Sequence, residues 1–345
     1  SSERLTIDIC ILNDNFNSIV SMTFKLYNLS SKLFQQIIKE KCNYKRHYTV
    51  KNTCKVLFFG SDSIGFSSLK KINELRLVTK KYANSQNINL IQWPLRDIQI
   101  GEYDIGLIVA FGHLIKENVL SKFPLGMINV HPSILPRWRG AAPIVHTLLH
   151  GDEITGVSLM KIKANVFDVG EIVSQRLVPV SKDIKLPELT KQLSEIGAEM
   201  LAECMRNLPQ SLANTKPQSE DGVTFAKKIN KSISIVRWSV MTALDVYNLY
   251  RAIYGIYQLT TTFRNKQMKL FGAFLHNEHF ESKHKSIGTL EYCEETNAIR
   301  VLCKDRRYIY FRSLRIVGKK EITALDFYNG YIKNASVNNR SIVVG

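Results

Sequence analysis

Acidic residues are scarce in this chain. It carries 30 Asp and Glu against 47 Lys and Arg over 345 residues, a formal net charge of +17 at pH 7. That surplus disfavours basic partners and favours polyanions, RNA among them. The six cysteines, at 10, 42, 54, 204, 293 and 303, are scattered and form no C-x-x-C pair. Structural zinc and a disulfide framework are therefore not expected, and a reducing compartment fits. No apolar run reaches the roughly 18–20 residues that a membrane-spanning helix needs. The turn Gly60-Ser-Asp-Ser-Ile-Gly65 is neither G-x-G-x-x-G nor G-x-x-x-x-G-K-[ST], so dinucleotide and nucleoside-triphosphate binding are weak readings. His146 and His150 lie four apart, but no Glu follows His146. An H-E-x-x-H zinc pair is thus absent.

What is present suits two globular domains. Hydrophobic residues make up 45% and charged residues 22%, ordinary values for a packed protein. Lys55–Phe59 reads as a strand ending at Gly60, and Ile64–Ile72 continues with helical spacing. This is the β-turn-α opening of a doubly wound sheet. Asn89–Gln92, Ile105–Ala110 and Met127–Val130 read as further strands, and Pro143–His150 as a helix. Val157–Ile162 and Glu171–Val178 read as a strand pair around a loop holding Asp168. Apolar residues at 189, 193, 196, 200 and 201 give Pro187–Met205 one apolar face. The polar stretch Asn207–Asp221 reads as a linker. Beyond it, Asp245–Tyr254 has helical spacing. Thr260–Phe263, Met268–Phe274, Ala298–Leu302 and Tyr308–Leu314 read as the short strands of a small β-barrel.

The N-terminal part reads differently. From Met22 to Cys54 seven Lys and Arg face one acid, Glu40, among Leu26, Leu29, Leu33, Phe34, Ile37 and Ile38. That is a basic amphipathic stretch of the mitochondrial presequence type. Residues 1–21 carry Glu3, Asp8 and Asp14, and translation is expected to begin at Met22. The expected division is 1–53 upstream segment and presequence, 54–206 first domain, 207–224 linker and 225–345 second domain. The last of these holds 20 Lys and Arg against nine Asp and Glu, most of the charge surplus.

The chemistry concentrates in residues 128–144. Asn129 precedes His131 by two residues at the end of an apolar run, so on an extended chain both point to one side. Pro132, Pro136 and Pro143 then stiffen the loop that follows. An N–H donor beside a proton-transfer group serves a tetrahedral acyl-transfer intermediate. A strand-end cap is the commoner role of an isolated Asn-x-His.

The whole run Asn129-Val-His-Pro-Ser-Ile-Leu-Pro-Arg-Trp-Arg-Gly-Ala-Ala-Pro143 resembles the signature of the 10-formyltetrahydrofolate-dependent formyltransferases. Its Arg137–Pro143 part resembles the branch that acts on charged initiator tRNA. Three further blocks agree in order and spacing: Lys55–Asp62, Leu107–Gly112, and Thr155–Met160 through Phe167-Asp168-Val-Gly170. The resemblance implies a Rossmann-like α/β formyltransferase domain followed by an OB-like β-barrel that helps hold tRNA. It implies a monomer that moves a formyl group from 10-formyltetrahydrofolate to the methionine amine of methionyl initiator tRNA in the mitochondrial matrix, without a metal. Asn129 and His131 would donate to the oxyanion, and Asp168 would orient His131 and relay protons. Folate would rest against Val109, Ala110, Phe111 and Gly112, and against Ser133, Ile134, Leu135 and Pro136. Arg137 and Arg139 would meet the tRNA end. Arg306, Arg307, Arg312, Lys319 and Lys320 would serve the basic domain, and Tyr308, Tyr310 and Phe311 are either RNA-stacking rings or core. Leu75–Thr79 is too short for the second strand and basic loop that the family carries there. Other readings are a formyltransferase for a small amine, against which Gly318-Lys-Lys320 argues, and a non-catalytic RNA- or folate-binding relative.

Overall fold

The computed structural model describes residues 18–23, 55–60, 89–92, 98–276, 284–333 and 342–344. Among the described residues seven strands make the first sheet: β1 (Ser18–Thr23), β2 (Lys55–Gly60), β3 (Asn89–Gln92), β4 (Ile105–Val109), β5 (Met127–His131), β6 (Ile154–Lys161) and β7 (Ile172–Pro179). Their order is β3-β1-β2-β4-β5-β6-β7. The pairs β2–β4 and β4–β5 are parallel, and every other pairing is antiparallel. The central strands are continuous apolar runs because both sheet faces are covered. Val56–Phe59 and all of β4 are buried. Phe59 meets Phe123 at 6.3 Å between ring centroids, joining β2 to the layer beneath.

The expected helix Ile64–Ile72, the short 73–78 connection and residues 24–54 lie outside the described residues. Between β2 and β3 the described sheet contains Ser18–Thr23, antiparallel to both neighbours, with Met22 opposite Val56. Helix α1 (Pro143–Leu149) and helix α2 (Leu186–Arg206) match their expected spans to within two residues. Leu189, Leu193, Met200 and Leu201 on α2 are buried, so the periodic face is core. Among the described residues no helix is long and apolar enough to cross a membrane.

The chain divides into two compact units. One comprises 1–143, 153–180 and 188–227; the other comprises 144–152, 181–187 and 228–345. The second unit holds helix α3 (Ala243–Ile253), which starts at a capping box between Thr242 and Asp245. That box satisfies two N–H groups that the first turn leaves open. Strands β8 (Leu259–Phe263), β9 (Lys266–Phe274), β10 (Thr289–Cys293), β11 (Ala298–Leu302), β12 (Tyr308–Ile316), β13 (Ile322–Thr323) and β14 (Ile342–Val343) form a curled antiparallel half-barrel. Strands β10, β13 and β14 add to those expected from the sequence.

Alternation along β11 and β12 fills both faces of this sheet. Ile299, Val301, Ile309 and Phe311 join the main core with Trp238 and Phe327. Ala298, Leu302, Tyr308 and Tyr310 form a second cluster with Cys293. Tyr308, Tyr310 and Phe311 are 6%, 2% and 0% exposed. They are core, and the RNA-stacking alternative for them is corrected accordingly.

Candidate active site

β5 ends where the first unit turns its polar side chains inward. Its backbone is fixed from both flanks: Asn129 pairs with Ile108 on β4, and Asn129 and His131 stand opposite Met160 and Ser158 on β6. The i, i+2 spacing places the amide and the imidazole on one side of the strand, at the carboxyl end of a parallel pair. Open α/β sheets bind ligands at that end.

Asp168 meets both. Its Oδ1 accepts from Asn129 Nδ2 at 3.3 Å and lies 3.6 Å from His131 Nδ1. Its Oδ2 accepts the Gly140 N–H at 2.9 Å. Asp168 is 8% exposed and His131 is 4% exposed, so both are held out of bulk water. His131 Nε2 lies 2.9 Å from the Trp138 carbonyl. A carbonyl can only accept, so Nε2 carries a hydrogen. Nδ1 is then the nitrogen that can gain or lose a proton, and it faces the carboxylate. Asn129 retains a second amide hydrogen beyond the one given to Asp168.

Backbone conformation brings these groups together at some cost. Asp168 has φ +54°, Trp138 φ +64° and Ala110 φ +52°. Left-handed backbone at non-glycine residues costs on the order of 1–2 kcal/mol and is found where surrounding structure enforces it. The enforcement is visible. Trp138 N–H donates to Thr224 Oγ1 at 2.9 Å, Arg139 N–H to the Thr224 carbonyl at 2.9 Å, and Ala226 N–H to the Arg139 carbonyl at 2.7 Å. Residues 224–226, at the end of the expected 207–224 linker and just beyond it, are therefore stitched onto the motif loop. Gly140 adopts φ +125°, and a Cβ there would stand 2.6 Å from the Ala226 carbonyl oxygen.

The loop Ser133–Pro136 rests on a cradle absent from the sequence reading. Ser158 Oγ donates to the Ser133 carbonyl at 2.7 Å and accepts from Leu135 N–H at 3.0 Å. Gln175 Nε2 reaches Ser158 Oγ at 2.8 Å and the Leu135 carbonyl at 2.9 Å. Val109 is buried, Ala110 and Phe111 are half-buried, and Gly112 is exposed. The Phe111 ring leans on Phe59 at 5.4 Å and on His113 at 5.0 Å.

The basic residues separate into two groups. Arg137 stacks over the ring of Trp138 at 4.3 Å. Arg139, expected at the tRNA end, is 7% exposed, and its Nε and Nη2 donate to Gln218 Oε1 at 3.1 and 2.8 Å. Burial removes its guanidinium from any surface contact. In the second unit Arg307, Arg312, Lys319 and Lys320 are exposed. Arg312 lies over the Phe274 ring, and Lys319 donates to Tyr331 Oη at 2.8 Å. Arg306 is half-buried and donates to the Lys285 carbonyl at 2.6 Å. Among the described residues no group of three His, Cys, Asp or Glu side chains could hold a metal ion.

Sequence comparison gives two family matches: "Formyl transferase" over residues 66–205 and "Formyl transferase, C-terminal domain" over 228–332. The human protein named mitochondrial methionyl-tRNA formyltransferase is 38% identical over 307 residues, covering 81% of this chain and 78% of its own length. Among solved structures, an N-formyltransferase from Helicobacter canadensis in complex with folinic acid and dTDP-3-aminofucose superposes with TM-score 0.57. It is 18% identical and covers 75% of this chain and 98% of its own. HypX from Aquifex aeolicus in complex with tetrahydrofolic acid gives TM-score 0.51 at 15% identity, covering 96% and 48%. These two show a shared fold.

Proposed function

The chain belongs to the methionyl-tRNA formyltransferases, and from that premise we propose that Asn129, His131 and Asp168 carry its chemistry. The reaction moves a formyl group from a formyl-tetrahydrofolate to the methionine of charged initiator tRNA. The donor is 10-formyltetrahydrofolate, the nucleophile is the methionine α-amine, and the compartment is the mitochondrial matrix. The mitochondrial names of the relatives support that address.

The amine attacks the formyl carbon, and the carbonyl oxygen becomes an oxyanion. The free amide hydrogen of Asn129 donates to it, and His131, once protonated at Nδ1, adds a positive charge beside it. The amine loses a proton as it attacks, and N10 must leave with one. Asp168 and His131 Nδ1 shuttle it, directly or through a water. The observation that carries this reading is one carboxylate oxygen, Asp168 Oδ1, shared by Asn129 Nδ2 and His131 Nδ1. A turn aspartate serving only its own loop would have no reason to meet both.

Folate lies along Val109–Gly112 and the Ser133–Pro136 loop, whose conformation Ser158 fixes before substrate arrives. The exposed Arg307, Arg312, Lys319 and Lys320 contact tRNA phosphates. Single-turnover formyl transfer by Asn129→Ala, His131→Ala and Asp168→Ala tests the assignment. Losing one oxyanion donor costs about 100–1,000-fold in turnover; that loss is expected for Asn129→Ala, and one of similar size for His131→Ala as the proton carrier. Near-normal turnover in either variant would remove the role given to that residue.

A further inference from the structure

The Asp168 side chain is explained by Asn129, His131 and Gly140, but its backbone is held from elsewhere. Gln218 Nε2 donates to the Asp168 carbonyl at 3.0 Å and to the Gly170 carbonyl at 2.8 Å. The same amide's Oε1 accepts both hydrogen bonds from the buried Arg139. All four hydrogen-bonding directions of the amide then point at two loops, 139–140 and 168–170. Those loops meet again where Gly140 N–H reaches Asp168 Oδ2. Gln218 itself is anchored nearby, since Lys216 exchanges both backbone hydrogen bonds with Ile172 at 2.7 and 2.9 Å.

We propose that Gln218 is a positioning residue for the transfer reaction, with Arg139 as its anchor. It clamps the Asp168 loop in left-handed backbone so that Oδ1 stays between Asn129 and His131. The inference rests on the proposed role of Asp168. Only an amide suits the position, because Arg139 needs an acceptor and the two carbonyls need a donor. A carboxylate would satisfy Arg139 and repel both carbonyls. A leucine of similar size would lose all four bonds. Arg139 works at a distance from substrate: its buried charge meets the neutral amide, polarising it and strengthening the two N–H bonds to the loop.

A displacement of about 1 Å at a reacting group costs about 100-fold. In the full chain, Gln218→Leu and Gln218→Glu should each lower kcat about 10–100-fold. KM for methionyl-tRNA and Kd for 10-formyltetrahydrofolate should stay within about twofold, which a general structural lesion would not allow. Glu separates the two jobs of the amide. If Gln218 served only to anchor Arg139, Glu would keep kcat and only Leu would lose it.

The decisive readout is a double-mutant cycle. In an Asp168→Ala background, Gln218→Leu should change kcat by less than about twofold, because the group it positions is gone. The proposal is overturned if Gln218→Leu keeps kcat while Asp168→Ala loses it. It is equally overturned if the Gln218 loss persists undiminished in the Asp168→Ala background, or if Gln218→Glu behaves as the unsubstituted chain. Unchanged kcat in Asp168→Ala is a separate result: it removes the reading of Asp168 itself, and with it the premise.

Discussion

The hydroxyl of Ser158 should be worth far more than a surface serine. It is 0% exposed and holds three groups at once. Ser158→Ala leaves the Ser133 carbonyl and the Leu135 N–H without that partner, in residues 0% and 3% exposed. Each buried polar group left unsatisfied costs about 1–3 kcal/mol. Gln175 Nε2 keeps the Leu135 carbonyl and recovers part of the loss by swinging toward Ser133. The expected net destabilisation is about 2–4 kcal/mol. In a unit of this size each kcal/mol moves Tm by about 2–4 °C. Urea unfolding followed by far-UV circular dichroism and tryptophan fluorescence measures it. The comparison is Gln175→Ala on β7, which takes the partner from one buried carbonyl, that of Leu135, instead of from two buried groups, and should cost about 1–2 kcal/mol. Because Ser158 shapes the proposed folate wall, 10-formyltetrahydrofolate should also bind more weakly to Ser158→Ala. The reasoning is refuted if Ser158→Ala lies within about 0.5 kcal/mol of the parent, or if Gln175→Ala costs as much.

Three other outcomes are expected. Gly140→Ala puts a Cβ 2.6 Å from the Ala226 carbonyl oxygen at φ +125°; the loop must move, drawing the Gly140 N–H off Asp168, and kcat should fall more than about 10-fold. Tyr247 has its phenol pushed up to about 12 from 10, first by burial and then by its hydrogen bond to Asp183. The folded state thus holds that proton more tightly than the unfolded chain. Its contribution to stability is complete below pH 10 and is lost as pH rises through about 12. Subtracting the stability–pH curve of Tyr247→Phe from that of the parent should isolate a fall in this window; parallel curves would contradict it. Replacing exposed Arg307, Arg312 and Lys320 together by Gln should raise KM for tRNA. The log–log salt slope should also shrink, by up to about 0.9 for each phosphate no longer neutralised, with folate affinity unchanged; an unaltered slope would place the tRNA elsewhere.

Much of this architecture follows from local pattern. The apolar runs at β2, β4 and β5 announce a buried parallel core, and their spans agree with the sequence reading to within a residue. The same holds for β11, whose alternating residues fit a pleated surface. Asn129 and His131 are legible because period-two geometry alone puts them on one side. Asp168 joins them only through resemblance: it is 39 residues from Asn129, and no periodicity spans that gap. Ser158 and Gln218 are illegible for a related reason. Their partners lie 25 and about 50 residues away in sequence, and a buried serine on a strand looks like any small β residue. Gln218 sits in a polar, proline-containing stretch whose composition reads as linker. Arg139 misleads in the opposite direction, since an arginine in a loop suggests a surface cation, while its burial depends on Gln218 arriving from the far end of the unit.

The most direct test is formyl transfer by the full chain from 10-formyltetrahydrofolate to methionyl initiator tRNA, with uncharged tRNA and free methionine as parallel acceptors. The account predicts formylmethionine on the charged tRNA and none on either control. Folate binding with no transfer to any acceptor, or equal transfer to free methionine, would contradict it.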